Sequence, residues 1–162
     1  MIDPKTKIKC LAEMQWLTAD AQSHGRAAVF SNGCFDLIHV GHIRYLQAAR
    51  ALGDVLLVGI NSDASVRALK GCGRPLQSQE DRAEIIASLE CVDFVTIFEE
   101  ETVANILRVL KPSFHAKGTD YTSDTVPERD VARSYGGSVA IVGDDKSHAS
   151  RDLIRTILVK MS

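Results

Sequence analysis

Residues Val55-Leu56-Leu57-Val58-Gly59-Ile60 form an unbroken apolar run. It is far too short to cross a bilayer, which takes about 20 residues. It does not alternate apolar with polar, so it is not a strand with one wet face. An unbroken apolar strand needs cover on both faces, and a parallel sheet flanked by helices supplies it.

The rest of the chain reads around that strand. Ile8, Leu11, Met14, Trp16 and Leu17 fall at roughly helical spacing before His24-Gly25, which predicts a leading helix over 6–23. Further strands are predicted over 27–31, 94–98, 113–116 and 139–142. Helices are predicted over 42–52, 78–89, 101–110, 127–135 and 150–161; Ser78 caps the second and Pro127 opens the fourth. The stretch 70–76, with Gly71, Gly73 and Pro75, reads as a mobile surface loop. Five strands separated by helices predict a Rossmann-like α/β fold, an open parallel sheet with helices on both faces. Its ligand belongs at the carboxyl ends of the strands, where strand order reverses.

Length and composition narrow the function classes. A chain of 162 residues reads as a single domain over 1–162, with a catalytic core over 27–161. At 45% hydrophobic and 25% charged residues, disordered and fibrous classes are excluded. A formal net charge of −2 gives no field to hold nucleic acid or an anionic membrane. The opening MIDPKTKIKC has no apolar signal core, so a cytoplasmic protein is expected. Cys10, Cys34, Cys72 and Cys91 are widely spaced and read as free thiols.

The polar clusters fall just after predicted strands. The first is Asn32-Gly33-Cys34-Phe35-Asp36-Leu37-Ile38-His39-Val40-Gly41-His42. Its two imidazoles, three positions apart at a helix start and separated by Gly41, face one side of the first turn. With the helix's unpaired N–H groups they form an anion cradle that needs no P-loop lysine. The alternatives are that His39 and His42 only cap and pack, or that they bind zinc, for which no second cysteine stands at ligand spacing.

This run resembles the HxGH signature of the nucleotidyltransferase superfamily, which includes the cytidylyltransferases. The resemblance extends through Val58 to Val66, Leu69-Lys70-Gly71, Arg74-Pro75, Asp81-Arg82, Leu89 to Asp93 and Lys117-Gly118-Thr119-Asp120-Tyr121. In that order these segments look like the bacterial D-glycero-D-manno-heptose 1-phosphate adenylyltransferases, over about residues 27–157.

The resemblance implies transfer of a nucleotidyl group from an NTP, with ATP first, to a sugar 1-phosphate. Pyrophosphate is released, and Mg²⁺ is carried by the NTP. His39, His42 and Lys70 are the implied catalytic residues, and Gly33, Cys34, Phe35 and Gly41 lend backbone to the phosphates. For Lys70 the plain alternative is a solvated surface lysine. Asp36, ionised, is an acceptor for a sugar hydroxyl or else orients a neighbour. Arg82 fits an acceptor-phosphate clamp, or else pairs within its own helix. Lys117, Gly118 and Asp120 form a wall for nucleotide and substrate, or else a plain turn. In the closing segment 146–154, Ser150 and Arg151 face the phosphates; Ala149 and Arg151 depart from the hydroxyl-rich family pattern. Those departures fit either a stronger phosphate contact or a different nucleotide or acceptor. The resemblance also implies a homodimer and a separate upstream sugar kinase. The competing readings are a cytidylyl- or guanylyltransferase for another phosphorylated polyol, such as glycerol 3-phosphate, and a nucleotide-binding module without turnover.

Overall fold

The computed structural model describes residues 3–145 and 149–161. Its centre is a five-stranded, all-parallel sheet of β1 (Ala28–Gly33), β2 (Val55–Asn61), β3 (Phe94–Phe98), β4 (Phe114–Lys117) and β5 (Ser138–Ile141). Strand order is β3-β2-β1-β4-β5, so the order reverses between β1 and β4. Around it lie α1 (Leu11–Ser23), α2 (Val40–Arg50), α3 (Asp63–Lys70), α4 (Gln79–Ala87), α5 (Ala104–Leu110), α6 (Arg129–Ser134) and α7 (Ser150–Met161). The expected Rossmann-like architecture is the one observed.

Burial explains the apolar run: all seven residues of β2 are buried. Leu56, Val58 and Ile60 pack with Val29, Leu46, Ile86 and Val95 on the α2 and α4 face. Leu57 and Val55 turn to the other face, with Phe30, Met14, Ile106 and Leu107. Gly59 interrupts the run because a Cβ there would stand 2.8 Å from the Phe30 ring and 3.2 Å from that of Phe98.

Several boundaries differ from expectation. The leading helix begins at Leu11, not residue 6, because the chain before it does other work. Pro4–Lys7 form a 3-10 turn, Ile8 bridges to Val95, and the Lys9 N–H donates to the Val95 carbonyl at 2.8 Å. Glu13 then accepts from the Cys10 N–H at 2.9 Å and fixes the helix start. Helix α3 was not expected; the Ser62 hydroxyl caps it by accepting from the Ser65 N–H at 3.2 Å. Lys70 therefore ends a helix instead of lying in a loop. The Ser78 cap is as expected, its hydroxyl accepting from the Asp81 N–H at 3.1 Å. Among the described residues no helix is long and apolar enough to cross a membrane.

Candidate active site

Where β1 ends, the chain turns sharply before α2. Phe35 takes a left-handed backbone (φ +48°) with its side chain buried, an arrangement that costs strain and persists only when neighbours enforce it. The ring lies edge-on to His42, centroids 5.4 Å apart. A Cβ at Gly33 would stand 3.0 Å from the Phe35 ring, so glycine is what lets the aromatic fold back there.

Asp36 follows, 2% exposed. Its carboxylate accepts from the Leu76 N–H at 2.8 Å and the Gln77 N–H at 3.1 Å, and Arg74 Nε lies 3.0 Å away. Of the two roles expected for Asp36, this geometry supplies the orienting one: it ties the loop after α3 to the loop after β1. The stretch read as a mobile surface loop is thus anchored at its far end.

His39 caps α2, and its ring stacks on that of His42 with centroids 3.9 Å apart. Burial first, then the charges of His39 and Lys70, lower the pKa of His42 to about 4. The ring is therefore neutral at pH 7. Its Nδ1 accepts from the His39 N–H at 3.3 Å, which leaves the single ring proton on Nε2 as a donor. Below the pair, the buried Tyr45 hydroxyl donates to the Ala116 carbonyl at 2.9 Å and accepts from Ser31, pinning α2 to β1 and β4 at the reversal. That burial pushes the Tyr45 phenol up to about 12.

Lys70 is exposed at the end of α3, near enough that its charge acts on both His42 and Cys34. Burial pushes the Cys34 thiol up. Arg82 differs from expectation. Its side chain has zero exposure, and four of its five N–H groups are taken by the protein. They donate to the carbonyls of Gln77 (3.1 Å), Cys34 (2.6 Å) and Asn61 (2.8 Å) and to the Asp63 carboxylate (2.7 Å). A guanidinium so committed cannot clamp a phosphate, nor does it pair within its helix. It locks the ends of β1 and β2 to α3 and α4.

The end of β4 supplies the other wall. Lys117, 8% exposed, donates to Asn32 Oδ1 at 3.1 Å, lies 3.9 Å from Glu128 and sits 5.1 Å above the Tyr121 ring. Burial lowers its pKa, with Glu128 opposing. Gly118 faces open space, with nothing within 4 Å of the place a Cβ would take. Asp120 is exposed beside it. Thr119 donates to the Asp144 carbonyl at 2.8 Å, and Arg44 of α2 pairs with the Asp144 carboxylate at 2.8 Å. The Lys117 loop, the segment after β5 and α2 are thereby joined.

Helix α7 starts at the same place. The Ser150 hydroxyl donates to the Leu37 carbonyl at 2.9 Å, so its proton anchors the helix to the turn before His39. Arg151 is exposed in the first turn. Lys146, Ser147 and His148 of the closing segment lie outside the described residues.

The structure thus gathers Gly33 to Asp36, His39 to His42, Lys117 to Asp120 and Ser150 at the carboxyl ends of β1 and β4. Sequence reasoning did not anticipate that Asn32, His115 and Glu128 surround Lys117 at this wall. Asn32 was within reach of it, as the last side chain before Gly33 in the motif. His115 and Glu128 carry no local signal.

The chain matches the cytidylyltransferase-like family over residues 30–160. It is 47% identical over 152 residues to "Bifunctional protein HldE" of Geobacter sulfurreducens, a match covering 94% of this chain and 31% of that protein. To the protein of the same name from Pelobacter propionicus it is 46% identical over 160 residues, 99% of this chain and 33% of the other. The chain spans about a third of the length of these curated relatives. Among solved structures it resembles the lipopolysaccharide core biosynthesis protein from Thermoplasma volcanium, with a TM-score of 0.63 and 28% identity, over 75% of this chain and all of that one.

Proposed function

The chain belongs to the cytidylyltransferase-like family, and from that premise we propose that it is a nucleotidyltransferase making ADP-heptose from ATP and D-glycero-D-manno-heptose 1-phosphate. The observation that carries the proposal is the stacked His39–His42 pair, neutral at His42 and fixed as an Nε2 donor, at the strand-order reversal. The choice of heptose rests on the relatives and on the run of motifs beyond the histidines.

An oxygen of the sugar phosphate attacks the α-phosphorus of ATP in line. The bond from that phosphorus to the bridging oxygen of the β-phosphate breaks, and pyrophosphate leaves. No covalent enzyme intermediate forms, so the protein contributes position and charge stabilisation. His39 and His42 donate to the phosphate oxygens on which charge grows. Backbone of Gly33, Cys34, Phe35 and Gly41 closes on the phosphates, and Lys70 brings a mobile cation from the end of α3. Gly118 and Asp120 face the nucleoside. At α7 the phosphates meet the helix N-terminus and Arg151, since the Ser150 proton is already spent on Leu37.

Mg²⁺ fits this site as a passenger of the triphosphate. Among the described residues no three His, Cys, Asp or Glu side chains converge on a cation, and Mg²⁺ in such sites takes phosphate oxygens and water. It would neutralise the triphosphate. A cytoplasmic homodimer supplied by a sugar kinase activity completes the proposal, because the acceptor must already carry its anomeric phosphate.

Pyrophosphate release tests this, with ATP, GTP, CTP and UTP offered against both anomers of heptose 1-phosphate and against glycerol 3-phosphate. Release with ATP and one heptose anomer is expected. Release only with glycerol 3-phosphate and another nucleotide overturns the substrate, and tight NTP binding without release overturns the enzyme.

A further inference from the structure

Thr119 stands between Gly118 and Asp120, the two residues of the loop after β4 that the proposed function turns to the nucleoside, yet its own side chain is engaged elsewhere. Its hydroxyl donates to the Asp144 carbonyl at 2.8 Å. The carboxylate of that same Asp144 pairs with Arg44 Nη1 at 2.8 Å, across 100 positions of chain. Arg44 follows His42 closely in α2. One residue of the segment after β5 therefore holds the Gly118–Asp120 loop by its main chain and the histidine-bearing helix by its side chain.

The path of that segment is set on both sides. The Val142 N–H donates to the Lys117 carbonyl at 2.8 Å, which carries the pairing with β4 one step past the end of β5. Gly143 then takes a left-handed backbone (φ +95°) and lies against α2, where a Cβ would stand 3.4 Å from Tyr45 Cα. Asp144 follows at once, beside Arg44. The side chains of Arg44 and Asp144 are 50% and 55% exposed. A pair so exposed adds little to folding, a factor of about five in an equilibrium at most. The same factor, applied to a loop that carries one end of a binding site, is about a fivefold bias in how often that end is in place. In the proposed function ATP bridges two seats, its phosphates at the His39–His42 pair and its nucleoside at Gly118 and Asp120. A ligand bound at both ends depends on how well the span between the seats is held, and one that reaches a single seat does not.

Resting on the function proposed above, we propose that Asp144 is a positioning residue for the nucleotide: bracketed by Thr119 and Arg44, it fixes the reach from the loop that faces the nucleoside to the helix that bears His39 and His42. The test compares the wild-type protein with Thr119→Val, which deletes the hydroxyl at nearly constant shape, and Asp144→Ala, which deletes the carboxylate and keeps the carbonyl. Titration calorimetry measures the affinity for ATP and for tripolyphosphate, each with Mg²⁺, alongside thermal unfolding; tripolyphosphate has the phosphates and no nucleoside. ATP is expected to bind about three- to tenfold more weakly to each variant, and tripolyphosphate within about 1.5-fold of wild type, with unfolding temperatures close to wild type. Asp144→Ala removes a negative charge, so long-range electrostatics alone would tighten ATP, and a weakening marks the bracket. Unchanged or tighter ATP binding in either folded variant overturns the proposal. So does an equal loss of tripolyphosphate, which makes these contacts general supports of the fold. Wild-type protein that binds ATP no better than tripolyphosphate has no nucleoside seat to position and overturns it as well. If Asp144→Ala does not fold, Thr119→Val decides alone. Turnover in the same samples is a separate readout: protein that binds ATP and transfers nothing to a sugar phosphate overturns the function, while the two affinities still decide the role of Asp144.

Discussion

At the scale of single residues, the proposed mechanism separates side chains that meet substrate from side chains that hold the first set still. His42 belongs to the first: a neutral donor whose tautomer is fixed by the His39 N–H. Replacing His39 or His42 by Ala is expected to cost about 100–1,000-fold in kcat, with circular dichroism unchanged. Arg82 belongs to the second. Its removal strands the Asp63 carboxylate and three carbonyls, so Arg82→Met should lose about 3–5 kcal/mol in urea unfolding, a structural collapse and not a binding defect. His115 adds a pH signature. Burial, then Lys117, lower its pKa to about 3, so the folded protein keeps it neutral while the unfolded chain takes up a proton near pH 6.5. Stability is then full above about pH 6.5, declines as pH falls toward 3 and is level below that; His42 acts in the same sense down to about 4. Thermal unfolding between pH 7 and 4 should show a shallower decline in His115→Gln than in the wild type.

At the scale of elements, what was legible in the sequence was whatever is written locally. The β2 run, the Ser78 cap and the glycine-flanked histidines announce themselves within a few residues. The tethers do not. Arg82 reaches a carbonyl 48 positions away and Lys117 an amide 85 positions away, and only the order in which the strands pair brings them together. Hence Arg82 was read as a phosphate clamp, and the loop after α3 as mobile. The same reasoning yields a test of the Asp36 tether. In Asp36→Asn an amide group replaces one carboxylate oxygen and sets donor against donor beside Arg74. The Leu76 and Gln77 amides, held by Asp36 at 2.8 and 3.1 Å, should exchange with solvent roughly tenfold faster.

At the scale of the whole molecule, one topological fact organises the rest. Strand order reverses between β1 and β4, and a loop after each strand opens into the gap between them. Three further elements are fastened around that gap: α2 by Tyr45 and Arg44, α7 by Ser150, and α4 by Arg82. In the proposed reaction, a gap bordered by so many separate segments holds two substrates in one geometry, which is what a transfer without covalent catalysis requires. The most direct test of that claim is ³¹P NMR of the protein with Mg²⁺, ATP and heptose 1-phosphate, run beside His42→Ala. The account predicts that the sugar monophosphate signal disappears as a pair of diphosphate-diester signals and free pyrophosphate grow together, and that His42→Ala slows this at least about 100-fold. ATP hydrolysed to ADP and phosphate with the sugar phosphate untouched, or equal rates in the two proteins, would contradict it.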